Sequence, residues 1–112
     1  MVLQNRKIKR LKGKTKFRKV FNASNVIKSD FLILRLIKNE EIQHLEVAVA
    51  VSKKNFKRAV DRNRVKRLLR EAIKKNEKNI AFSGRCILFY KGLQLPDLSI
   101  LVEEVRSLIK KV

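Results

Sequence analysis

A chain of 112 residues and 13.1 kDa makes one domain with a modest core and is too short for two. Its hydrophobic fraction of 45% is ordinary for a globular protein and argues against wholesale disorder, whereas a net charge of +19 and a pI near 10.8 are not ordinary. Self-repulsion on that scale opposes folding, so the charge points to an acidic partner, whether nucleic acid, anionic membrane or acidic protein.

Residues 1–13 read as a flexible basic arm punctuated by Gly13. Thr15 is placed to cap a short helix through Asn22, on which Phe17, Val20 and Phe21 share a face at i, i+3, i+4. Asn22 to Asn25 reads as a turn. The apolar run after Asp30, Phe31 to Ile37, is too short for a typical helix and predicts a strand. Lys38 to Gln43 makes a polar turn. Leu45 to Val51 alternates large and small residues and is the clearest strand, so the two strands predict a hairpin.

A long helix follows, roughly Phe56 to Asn76. Val65, Leu68, Leu69, Ala72 and Ile73 form its core-facing stripe, and Asn63, Arg67, Arg70 and Lys74 project from the opposite side. Arg62 and Lys66 lie on one flank and Arg64 on the other. After a Ser83-Gly84 turn, Arg85 to Tyr90 predicts a buried strand. Pro96-Asp97 opens a final helix with Leu101, Val105, Leu108 and Val112 inward. The order is helix, strands, long helix, strand, helix: an α+β single-domain sandwich (αβββαβα-like) over residues 1–112. The long and C-terminal helices cover one side of the sheet, and the Phe17/Phe21 helix is left for the other side or an edge.

The charge is concentrated in two blocks. Residues 1–19 hold nine Lys or Arg and no acid, and residues 53–75 hold eleven against Asp61 and Glu71. Few acids are interleaved in the long helix, so intrahelical pairing does not account for its charge. Four of its six cations from Arg62 to Lys74 are arginine, whose planar fork suits phosphate. A helix that buries one side and presents a cationic band on the other suits a polyanion of defined shape, with structured RNA leading. Phe17 and Phe21 stand among Lys14, Lys16, Arg18 and Lys19. Aromatics at this spacing either pack into a core or, interleaved with cations, stack single-stranded bases.

Catalytic and metal-binding groups are hard to find. His44 is the one histidine and reads as a strand-end residue; Glu40-Glu41 and Glu103-Glu104 read as solvated acids pairing with nearby lysines. The three glycines are isolated and build no phosphate loop. No catalytic residue and no metal ligand is assigned. Cys86 sits in the apolar run CILFY and reads as a buried thiol in a reducing compartment. No apolar window is long enough to span a membrane, and the basic N-terminus lacks the apolar stretch of a signal peptide, so a cytoplasmic location is expected.

Lys53-Lys54, then Arg58-Ala59-Val60-Asp61-Arg62-Asn63-Arg64-Val65-Lys66-Arg67-Leu68-Leu69-Arg70-Glu71, strongly resembles the protein subunit of bacterial ribonuclease P. The RNR signature of that family is Arg62-Asn63-Arg64 here, followed by Lys66-Arg67 and Arg70-Glu71. A bare RNR is a weak signal; the set at these spacings is strong. Arg10-Leu11, Phe17, Val20-Phe21, Val49 to Ser52 and Ile87 to Lys91 extend the match to roughly residues 10–110.

The resemblance implies an RNA-based enzyme in which the RNA cuts. The protein would bind the catalytic RNA and the 5′ leader of precursor tRNA and support endonucleolytic removal of the leader, with Mg2+ held mainly by RNA. By the same resemblance Lys53, Lys54, Arg58, Arg62, Asn63, Arg64, Lys66, Arg67 and Arg70 would touch the catalytic RNA or lie near its junction with the leader. Phe17 and Phe21 would line a leader cleft between the first helix and the sheet. It further implies a left-handed βαβ crossover, against the usual rule. No membrane and no obligate protein partner is expected.

Two positions depart from the family pattern: Asn22-Ala23-Ser24, where relatives often carry a glycine, and Leu34-Arg35, where they often place a cleft aromatic. Three other readings compete: a ribosomal RNA-binding protein, a self-sufficient metal nuclease, and a peripheral membrane binder. The last is weak because the cationic helix has no large aromatic on its apolar face beyond Phe56.

Overall fold

The computed structural model describes residues 8–23 and 25–112. Five strands and three α-helices follow one another as β1 (Ile8–Arg10), α1 (Lys14–Ala23), β2 (Asn25–Lys28), β3 (Leu32–Lys38), β4 (Leu45–Val51), α2 (Ala59–Lys75), β5 (Gly84–Tyr90) and α3 (Leu98–Lys110). A short 3-10 turn, Glu77–Asn79, follows α2. The sheet order is β1-β4-β5-β3-β2. The α+β layering is as expected, with α2 and α3 on one face and α1 on the other.

Side-chain alternation assigns the faces. Leu32, Leu34 and Leu36, Leu45, Val47 and Val49, and Cys86, Leu88 and Tyr90 point into the main core. There they meet Val65, Leu69, Ala72 and Ile73 of α2 and Leu101, Val105 and Leu108 of α3. Full burial of each large aliphatic side chain contributes on the order of 1.5–3 kcal/mol. The α2 stripe and the inward side of α3 are thus the expected ones, except that Val112 lies past the helix end and is only half-buried. Asp97 caps α3, accepting from the Ser99 amide at 3.1 Å. The Cys86 thiol is buried in this core, and burial pushes its pKa up to about 12.

Four expectations need correction. β3 and β4 do not form a hairpin, because β5 inserts between them, antiparallel to β3 and parallel to β4. The 39–44 connection instead passes over the start of β5. There the Asn39 amide donates to Ser83 O (3.0 Å), the Gly84 amide to His44 O (3.1 Å), and Ser83 Oγ to Asn39 O (2.9 Å). Gly84 is required at this crossing: its φ is +144°, and a Cβ there would collide with the carbonyl oxygen of Ile37. The true hairpin is β2–β3, with Val26 opposite Arg35 and Ile27 opposite Leu34.

Ile8–Arg10, expected within a flexible arm, pairs in parallel with Leu45–Val47. The run has one apolar residue and carries no strand signal of its own; the free edge of β4 supplies the template. The rest of that arm up to residue 7 lies outside the described residues, as does Ser24 of the expected turn. Thr15 does not cap α1. The helix begins one residue earlier, and Gly13, at φ +96°, accepts the Phe17 amide (3.1 Å) in the capping position. Glu104, read as a solvated acid, accepts from Ser29 Oγ and from the Phe31 amide (2.9 Å), tying α3 to the β2–β3 turn.

Candidate nucleic-acid interface

The cationic face of α2 emerges as read. Asn63, Arg64, Arg67, Arg70 and Lys74 are exposed, and Lys66 is half-exposed. Ahead of the helix, Ser52 organises a turn by accepting the Phe56 amide on its carbonyl (3.1 Å) and the Lys54 amide on its hydroxyl (3.0 Å). That turn leaves Lys53 and Lys54 exposed beside Arg58, which takes the N-cap position of α2. Arg62 behaves differently from its neighbours. Its Nη1 donates to the carbonyls of Phe56 and Lys57, both at 2.8 Å, so it fixes this turn.

The two cationic blocks, far apart in sequence, meet at the β1 edge. In the pairing with β4, Arg10 lies opposite Val47 on the α2 side, and Lys9 opposite Glu46 on the α1 side. A recess of about 190 Å³ lies between β1 and α2, lined by Arg10, Arg70, Lys74 and Glu77 among others. Partial burial, and then repulsion from Arg10, lower the Arg70 pKa from its usual range. On the other face Lys9, Lys12 and Lys16 line a second recess beside Glu46, which Arg10 borders at the sheet edge. Positive charge therefore runs from α2 around the sheet edge to α1. Sequence reasoning missed this band because β1 was read as an arm.

Glu46 is the acid at the centre of that band. Its carboxylate lies 3.0 Å from His44 Nε2, 2.9 Å from Arg85 Nε and 4.0 Å from Lys16 Nζ. The His44 hydrogen bond, opposed by burial and helped by Arg85 and Lys16, holds its pKa below the usual glutamate range. His44 is at a strand end as expected, but it has a partner two residues away.

On the face opposite α2, α1 crosses β5 and β3. Val20 is 1% exposed and points down to the sheet, where Ile87 is also buried. Lys16 leans to Glu46 on one side. Phe17 and Phe21 follow about 100° and 140° further round the helix, so they flank Val20 on the other side. Their rings are stacked, with centroids 6.4 Å apart and planes 15° from parallel, and Phe21 is 49% exposed. A recess of about 590 Å³ runs along them, bordered by Leu11, Gly13, Lys14 and Arg18. Strand register places Ala48, Ile87, Arg35 and Val26 in one row of this sheet face, and Ala50, Phe89, Ile33 and Lys28 in the next. The small residues of β4, which marked the strand in the sequence, give the face its depth. Leu34 belongs to the main core and contributes nothing here; Arg35 does.

Comparison with known proteins matches this arrangement. The family model described as Ribonuclease P matches residues 6–112. The ribonuclease P protein component of Coprothermobacter proteolyticus is 39% identical over 106 residues, covering 92% of this chain and 80% of its own. That of Idiomarina loihiensis is 32% identical over 103 residues, covering 92% and 82%. Among solved structures, the Thermotoga maritima RNase P protein superposes with a TM-score of 0.81 at 19% identity, over 93% of this chain and 97% of that one. The Staphylococcus aureus RNase P protein gives 0.78 at 22% identity, over 91% and 93%. The chain belongs to the ribonuclease P protein family and is a protein subunit of the ribonucleoprotein that matures tRNA 5′ ends.

Proposed function

We propose that the α2 face and the β1 edge hold the ribonuclease P RNA while the α1 cleft takes the 5′ leader of precursor tRNA. In this reading Lys53, Lys54, Arg58, Asn63, Arg64, Lys66, Arg67 and Arg70 contact the catalytic RNA or its junction with the leader. Arg62 uses the guanidinium edge that its two internal hydrogen bonds leave free. Phe17 and Phe21 stack leader bases. The RNA carries out the hydrolysis, leaving a 5′ phosphate on the tRNA. The groups on the α2 face are mostly cationic donors and offer Mg2+ few oxygen ligands, so the metal ions belong to the RNA. The left-handed sense of the β4–α2–β5 crossover, a cytoplasmic location and independence from other proteins belong to the same proposal.

The observation that carries this reading is the continuous cationic band from Arg70 through Arg10 and Lys9 to Lys16, ending beside an aromatic pair. A phosphate backbone following that band would arrive at the stacking surface. The test is precursor-tRNA cleavage at low magnesium by a bacterial ribonuclease P RNA alone, by this protein alone, and by both. Cleavage at the mature 5′ end only with both present is the expected result. Cleavage by the protein alone would restore the metal-nuclease reading and overturn this one.

A further inference from the structure

Arg35 is tied to Phe21 twice. Its guanidinium carbon stands 4.3 Å from the Phe21 ring centroid, and its Nη1 donates to the Phe21 carbonyl at 3.0 Å. The contact links the Phe17–Phe21 pair of α1 to β3. A side chain held by both its plane and one of its nitrogens has lost most of its rotamer freedom, so its remaining donors point in a set direction. Those donors are Nε–H and the Nη2 hydrogens, a parallel pair along one edge of the guanidinium. Neither has an acceptor among the described residues.

A parallel pair of donors fits a carboxylate, a phosphate, or the O6/N7 edge of guanine. The surroundings favour the base. Arg35 shares its sheet face with Ala48, Ile87 and Val26, and the next row holds Ala50, Phe89 and Ile33. These are apolar, with Lys28 at the outer end of the second row on edge strand β2, and several are half-exposed. Such a floor suits the flat face of a nucleobase and not a hydrated phosphate. Of the cations suited to phosphate, Lys14 and Arg18 stand at the rim of the recess on its α1 side, where they would meet the backbone of a nucleotide whose base lies on the floor.

We infer that Arg35 is a specificity-determining residue of the leader cleft, selecting a guanine at one leader position by donating its Nε/Nη2 edge to O6 and N7. This rests on the leader-binding role proposed above for Phe17 and Phe21. An aromatic at position 35 would stack any base; an anchored guanidinium also reads one.

The test uses the reconstituted holoenzyme, with precursor-tRNA pools randomised one leader position at a time and competing for cleavage. Wild type, Arg35→Lys, Arg35→Tyr and Phe17→Ala are compared, and thermal unfolding confirms that each variant is folded. The expected result is a guanine preference of about tenfold at one leader position, within the range for a bidentate arginine–guanine pair. It should be abolished in Arg35→Lys and Arg35→Tyr. A loss of similar size for every leader sequence would make Arg35 a phosphate contact and overturn the inference. Unchanged selectivity in folded variants would reduce Arg35 to a clasp on Phe21 and overturn it too. Phe17→Ala separates the two levels: if it weakens leader-bearing substrate while no guanine preference exists, only the Arg35 inference fails. If it has no leader-dependent effect, the cleft assignment fails with it.

Discussion

Replacing Glu46 by Gln removes one charge from the centre of the cationic band while keeping the side chain's shape. The carboxylate is only 13% exposed, and its two oxygens are divided between His44 (3.0 Å) and Arg85 (2.9 Å). Hydrogen bonds to a charged group are worth roughly 1.5–3 kcal/mol. Lys16, half-exposed and 4.0 Å away, adds no more than about 0.5 kcal/mol after solvent screening. Gln retains an acceptor for Arg85, so about 1–1.5 kcal/mol should be lost at pH 7 on the same scale. The Glu46 pKa is depressed in the folded chain relative to its ordinary value of 4.5. Its stabilisation is therefore complete above pH 4.5 and is lost as pH falls through the lower folded value. Urea unfolding of wild type and Glu46→Gln at pH 7 and at pH 3 measures this directly. The gap should be full at pH 7 and smaller at pH 3. An equal gap at both pH values would show that the site contributes packing and not charge.

Arg67→Ala and Arg70→Ala should each weaken binding to the ribonuclease P RNA by about 1–3 kcal/mol, the scale of a charge-assisted hydrogen bond. In titrations at several salt concentrations the log–log slope of wild type should be near −5 for about six phosphate contacts, and each substitution should reduce it by about one. Wild-type affinity for both variants would remove α2 from the interface. Phe17→Ala should lower affinity for leader-bearing precursor tRNA, by about 1–3 kcal/mol if one base is stacked, and leave mature tRNA almost unaffected. Equal losses for both RNAs would make Phe17 a packing residue. Asn76 is 2% exposed, and its amide donates to Ala72 O (2.9 Å) and Val102 O (3.1 Å), locking the end of α2 to α3. Asn76→Ala removes both hydrogen bonds from a buried site and should cost about 1–3 kcal/mol in urea unfolding; a change within error would mean that water replaces the amide.

The helices were legible because their signals are local. Val65, Leu69, Ala72 and Ile73 repeat with the helical period, and Asp97 caps where it should. The strand order was not, because the β3–β4 split depends on Gly84 letting the 39–44 connection cross the end of β5, a contact between distant segments. β1 escaped notice for a related reason: an edge strand with Ile8 as its one apolar residue is specified by the partner it pairs with. For the site, the α2 cations could be counted from the sequence, but their continuity with α1 could not. Arg35 was visible as a departure from the family pattern. Its contact with Phe21 joins β3 to α1, and no local pattern encodes it.

A chain with a net charge of +19 folds here because its core and its cations are kept apart, with the apolar layer between the sheet and α2/α3 and the charge on outer faces and one sheet edge. That separation leaves like charges close together at the edge, as the Arg10–Arg70 repulsion shows. Salt should then act in opposite directions on the two properties of the molecule. Added NaCl shortens the range of repulsion between exposed charges, to about 10 Å at 0.1 M and less at higher concentration, so the free protein should gain stability. The same salt removes the counterion-release contribution to RNA affinity. Thermal unfolding between 0.05 and 0.5 M NaCl should show a rising midpoint over the range in which RNA binding falls steeply. A midpoint that stays flat would mean the band is already neutralised within the protein. RNA phosphates would then have no repulsion to relieve there, and the β1 edge would lose its place in the interface.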